Sequence, residues 1–93
     1  MFVLHVDLQL RPGAAETLHK TYHETFRPAI SRQEGFIGVH LLRPHTDGDH
    51  RLIIAFQDQN LQQKWVASET HQQVWPAMEA HCAAYSVKTY DAV

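Results

Sequence analysis

The chain has 93 residues, and eight Lys+Arg against ten Asp+Glu leave a formal net charge of −2 at pH 7. Hydrophobic residues make up 44%, a normal globular fraction that argues against intrinsic disorder. Neither charge sign runs in a block, so the basic stripe of a non-specific nucleic-acid binder is missing, and no nucleic-acid partner is expected. The longest apolar run, Leu52 to Phe56, is far shorter than the roughly 18 residues of a spanning helix, so no membrane segment is expected.

A chain of this length reads as one domain over residues 1–93. A domain this small hides only about 60–65% of its unfolded surface, so association with a partner is expected. Met1-Phe2-Val3-Leu4-His5 carries no basic leader, and no secretory signal is expected. The single cysteine, Cys82, cannot form an internal disulfide, which suits a reducing, cytoplasmic setting. Histidine is abundant, with eight residues. No phosphate loop, CxxC pair, GxSxG elbow or HExxH motif is present.

Residues 2–10 alternate: Phe2, Leu4, Val6, Leu8 and Leu10 share one face, and Val3, His5, Asp7 and Gln9 the other. A period of two predicts a strand with one strongly apolar face. Pro12-Gly13 breaks it. From Ala14 the period changes. Ala15, Leu18, Tyr22, Phe26 and Ala29 fall within about 80° on a helical wheel, an amphipathic helix. Pro28 removes a backbone bond and clashes one turn back, so a kink or looser last turn is expected. Gln33-Glu34-Gly35 closes the helix.

Phe36 to Arg43 predicts a second strand, with Phe36 and Leu42 on one face and Ile37, Val39 and Leu41 on the other. Asp47-Gly48 signals a hairpin, and Leu52 to Phe56 supplies the returning strand. Helical spacing resumes over residues 58–83, with Asp58 or Asn60 as the cap. Ser68-Glu69-Thr70 interrupts it, so two short helices should meet near Ser68 to Gln72. Val74, Met78 and Cys82 continue the spacing, and Pro76 suits the first turn of a new segment. Tyr85 to Tyr90 predicts a last strand with Tyr85 and Val87 inward.

The order β-α-β-β-α-β is the ferredoxin-like α+β pattern: a four-stranded antiparallel sheet with helices on one face. The second and third strands are apolar on both faces, which would leave an exposed apolar patch. A second copy packing sheet on sheet is the simplest cover, so a homodimer is expected.

With that order, the Pro12-Gly13 turn, Gly35-Phe36 opening the second strand and the stretch Trp65-Val66-Ala67-Ser68-Glu69-Thr70-His71, the chain resembles the antibiotic biosynthesis monooxygenase domain, a branch of the dimeric α+β barrel superfamily. The resemblance implies a homodimer with a pocket between helices and sheet in each subunit. It implies oxidation of a small aromatic, phenolic or quinol-type substrate by O2, with no metal, flavin or haem cofactor. The same family holds haem-degrading enzymes and isomerases, so an isomerase or a non-catalytic small-ligand-binding dimer is the alternative. A structural dimer with its pocket filled by Tyr22, Phe56, Trp65 and Trp75 is a third reading.

Trp65 matches the family's pocket tryptophan, a wall whose indole N–H can bond a substrate oxygen; its plain role is a core anchor. His71, where some family oxygenases have tyrosine, is a candidate proton acceptor, as is His40. His71 otherwise bonds a free backbone group at a helix start, and His40 is otherwise an ordinary interior histidine. Tyr22 and Asn60 complete the substrate-binding candidates, although Tyr22 belongs to the core stripe. Leu61 holds the place one helical turn before Trp65 where the oxygenases have asparagine. Trp75 stands where the haem-degrading branch has its iron-binding histidine, and indole cannot ligate iron; His81 would be a distant substitute. His5 and Asp7 could act as a pair on one strand face. His19 and His23 are spaced for a metal but lack an evident third ligand, so no metal site is expected.

Overall fold

The computed structural model describes all of residues 1–93. Its elements are β1 (Phe2–Leu10), α1 (Ala15–Thr21), a π-helical turn (Tyr22–Phe26), α2 (Arg27–Ser31), β2 (Phe36–Leu42), β3 (His50–Phe56), α3 (Gln59–Ala67), α4 (Glu69–Glu79) and β4 (Cys82–Asp91). The strands form one antiparallel sheet in the order β2-β3-β1-β4. This is the ferredoxin-like α+β arrangement. No helix is long and apolar enough to cross a membrane.

Strand alternation sorts the side chains. Phe2, Leu4, Val6 and Leu8 of β1 join Leu52, Ile54 and Phe56 of β3 in a core of 17 buried residues under the helices. Leu18, Tyr22, Phe26, Ala29 and Ile30 cover them from the first helical stretch, and Trp65, Val74 and Met78 from the second. The opposite face is bare. There Val3 lies between Ala55 and Tyr90, and His5 between Ile53 and Lys88.

The helix from Ala15 to Ser31 loosens where Pro28 demands it. The Arg27 N–H reaches back five residues to the Tyr22 carbonyl. The wider turn sits just ahead of Pro28, where an α-helical turn would press the ring on the carbonyl behind it. Asp58, not Asn60, caps α3, its carboxylate accepting from the Leu61 N–H at 2.9 Å. At Gly35 φ is +80° and an added Cβ would collide with the Leu61 side chain, so glycine is required.

Three expectations are corrected. A bulge between Phe36 and Gly38 shifts the β2 register. It sets Phe36 on the core side, edge-on to Phe56, and leaves Ile37 exposed rather than beside Val39 and Leu41. Pro76 lies inside α4, not in a first turn. The carbonyl it leaves without an i+4 donor belongs to the exposed Gln72, where water can serve it. Cys82 begins β4 instead of extending the helix, because the chain turns at Ala80-His81. Its thiol still packs in the same core, 3.6 Å from the Met78 carbonyl.

Candidate functional site

The helical layer stops short of β4. Tyr85 and Val87 pair with Leu8 and Val6 and share their face of the sheet, yet both remain exposed. The gap between them and the α3–α4 elbow is a cavity of about 260 Å3. Ten of its twelve lining residues are hydrophobic; the other two are Gln62 and His71. Leu4, Val6, Leu52 and Ile54 form its sheet wall, while Phe26, Trp65, Trp75 and Tyr85 ring it with aromatics.

The elbow at Ser68 builds the site. Ser68 ends α3 and caps α4, with extended backbone at φ −72° and ψ 152°. Its hydroxyl donates to the Trp65 carbonyl at 2.6 Å and accepts from the His71 N–H at 3.2 Å. The Trp65 and His71 rings consequently meet edge to face, with centroids 5.0 Å apart and an interplanar angle of 84°. One turn on, Trp75 stacks over His71 at 6.4 Å and meets Tyr85 edge-on at 5.2 Å. Trp65 is 3% exposed and also packs edge-on against Phe26.

Burial lowers the His71 pKa below the ordinary imidazole value, since a dry wall disfavours the charged form. His71 is therefore neutral at neutral pH, with a ring nitrogen able to take a proton. Gln62 supplies the one side-chain amide among the lining residues. A cavity of this kind can hold a flat apolar molecule, offer it an amide hydrogen bond and accept a proton from it.

Of the sequence candidates, Trp65 and His71 are brought together here, and Trp75 joins them. His40 is exposed on β2 and lies opposite Ile53, outside this cavity. Tyr22 is buried among core residues, and its hydroxyl donates to the Val39 carbonyl at 3.3 Å. Asn60 is exposed in the first turn of α3, and Gln62, three residues before Trp65, is the amide that reaches the cavity. That i, i+3 spacing was visible in the sequence. Phe26 and Tyr85 also line the cavity; only the packing of the first helix and last strand around the elbow brings them there.

The remaining histidines have other partners. His5 packs on Tyr90 at 4.8 Å, while Asp7 binds Arg51 at 2.7 Å, so they do not act as a pair. His19 turns away from His23 to meet the buried His50, Nε2 to Nε2 at 2.9 Å. His81 contacts the hydroxyl of Thr21 at 3.0 Å. No three His, Cys, Asp or Glu side chains converge where a metal ion could sit.

A family model described as antibiotic biosynthesis monooxygenase matches residues 1–77. Among solved structures, the chain is similar to a variant of SnoaB, a cofactor-independent oxygenase from Streptomyces nogalater. The TM-score is 0.85 at 18% identity, covering 98% of this chain and 91% of that one. It is similar to another structure described as an antibiotic biosynthesis monooxygenase, with TM-score 0.79, 20% identity and coverage of 100% and 99%. A variant of MhuD with two manganese protoporphyrin IX per active site aligns with TM-score 0.77 and 19% identity, covering 100% and 95%. A comparison with curated protein sequences returned no match.

Proposed function

We propose that this chain, which belongs to the antibiotic biosynthesis monooxygenase family, is a cofactor-independent monooxygenase that oxidises a small phenolic or quinol-type compound in the Trp65 cavity. The observation that carries this reading is a hydrophobic cavity whose one imidazole, His71, is held neutral by burial. The likeness to the fold of an oxygenase that works without a cofactor agrees with it.

In this mechanism the substrate ring lies between Trp65, Trp75 and Tyr85. The neutral His71 imidazole takes the phenolic proton, leaving an electron-rich phenolate. The phenolate passes one electron to O2, and the resulting superoxide and phenoxyl radical join at a ring carbon that carries hydrogen, para in a phenol and ortho in a quinol, to form a peroxide. The His71 imidazolium returns its proton to the outer oxygen. Loss of that carbon's hydrogen and of one oxygen as water leaves the quinone, hydroxylated where the substrate is a quinol, so one substrate and one O2 become one quinone and one water. The Gln62 amide, on the cavity wall, donates to the developing oxyanion. Apolar walls stabilise no charge themselves, which strengthens the interactions with His71 and Gln62 by lowering the local dielectric.

The reading includes a homodimer. The bare sheet face displays Val3, Ile53, Ala55 and Tyr90 beside the exposed Leu42 and Ile37, and a second sheet would remove that apolar surface from water.

The test is O2 uptake by metal-free protein with a panel of hydroquinones and hydroxylated polycyclic phenols, with quinone followed by absorbance. Turnover in wild type and its loss in His71→Ala support the reading. No turnover across the panel, or turnover unchanged in His71→Ala, overturns it.

A further inference from the structure

A second hollow, of about 380 Å3, lies between the first helical stretch and the edge strand β2, and it shares no lining residue with the Trp65 cavity. Its character is opposite. Arg27 and Arg43 border it together with His19, His23 and His40, and no carboxylate does. The protein as a whole is slightly acidic, so this clustering runs against its average charge.

The two arginines are unpaired. The ion pairs in the structure join Arg51 to Asp7 and Lys64 to Glu34. Both unpaired charges reach the buried groups behind the hollow. The Arg27 guanidinium works against the burial that raises the Tyr22 pKa, and Arg43 adds to the burial and the His19 charge that lower the His50 pKa. The wall is also built. The His19–His50 contact at 2.9 Å fixes one imidazole, and the Tyr22 hydroxyl is satisfied by the Val39 carbonyl. A ligand entering here meets two guanidinium groups that have no carboxylate partner, groups suited to hold carboxylate or phosphate oxygens through paired N–H bonds.

We propose that this hollow is a binding site for a small molecule carrying a multiply charged oxyanion, either a phosphate or a polycarboxylate. No residue lines both this hollow and the Trp65 cavity, so the site does not depend on the chemistry proposed there. The anion bridges Arg27 and Arg43, with the imidazoles of His19 and His23 as further donors. Val39 and Leu41 offer apolar contact to the rest of the ligand.

The experiment is an NMR titration of the full chain with inorganic pyrophosphate and, separately, with citrate. Saturable binding of either, with the largest shifts at His19 and His23, supports the site, and the tighter probe identifies the class. Arg27→Gln and Arg43→Gln, both at exposed positions, should each weaken binding by roughly tenfold or more. Arg51→Gln, whose side chain is already held by Asp7, should leave it unchanged. No saturation with either probe, shifts centred elsewhere, or affinity that survives both Arg27→Gln and Arg43→Gln would overturn the proposal.

Discussion

Trp65 and His71 lie on different helices, yet one hydroxyl fixes both: Ser68 donates to the carbonyl of the first and accepts from the amide of the second. The helix break and the cavity are thus one feature. An unbroken helix through residue 68 would put Trp65 and His71, six positions apart, about 120° from each other around the same cylinder. The extended residue at the elbow swings the second helix so that the two rings meet at 5.0 Å.

His71 as proton acceptor sets a pH dependence. Its folded pKa is lowered by burial, and the acceptor must be neutral. Activity should therefore be level at neutral pH, persist below the ordinary imidazole value of about 6.5, and fall only at more acidic pH. His71→Ala should lower kcat by about 10²–10⁴-fold, a typical general-base contribution, and abolish that acidic limb. The check is kcat/KM for quinol oxidation across pH in both proteins. An acidic limb unchanged in the variant would assign the base elsewhere.

Ser68→Ala should cost about 1 kcal/mol, the usual worth of a helix N-cap. In a domain of this size that corresponds to a Tm lower by about 4–8 °C. Because the hydroxyl also holds Trp65, the fluorescence of the indoles should change along with stability. Ser68→Thr keeps the hydroxyl and should recover most of the loss. Thermal melts followed by circular dichroism and tryptophan emission read both effects.

Acid should weaken the fold through His50 and His71. The folded pKa of each is lowered, by burial first and for His50 also by the charges of His19 and Arg43. Between the folded values and the unfolded value of about 6.5, the unfolded chain binds more protons. Stability is then full above about pH 6.5 and declines as pH falls toward the folded values. Protonating both members of the His19–His50 contact would also set two donors against each other across 2.9 Å. The replacement His50→Gln keeps a polar group but does not titrate. It should flatten the decline in Tm between neutral and mildly acidic pH.

Ile53→Lys places a charge in the middle of the bare sheet face without entering the core, since Ile53 lies opposite His5 and His40 on that face. If two copies join there, the variant should run as a monomer by light scattering while wild type runs as a dimer. A wild-type monomer at micromolar concentration would remove the dimer from the proposed function.

Local chemistry settled much of this protein in advance. The alternation in residues 2–10, the stripe from Ala15 to Ala29, the break at Ser68 and the pairing of the two middle strands are nearest-neighbour matters of side-chain period, capping and turn residues, and all are legible along the chain. Trp65 and His71 entered as candidates through the family resemblance, and the break they flank is what brings their rings together. The rest depended on contacts between distant segments. The bulge at Ile37 answers to how Phe36 packs on Phe56, 20 residues away. Pro76 stays within its helix because the carbonyl it orphans lies at an exposed residue. Gln62 and not Asn60 lines the cavity, and His19 chooses His50 over His23, because packing decides which face of a helix meets the sheet. Spacing limits which side chains can share a face; only close packing of the whole domain, where each buried polar group must find its partner, selects among them.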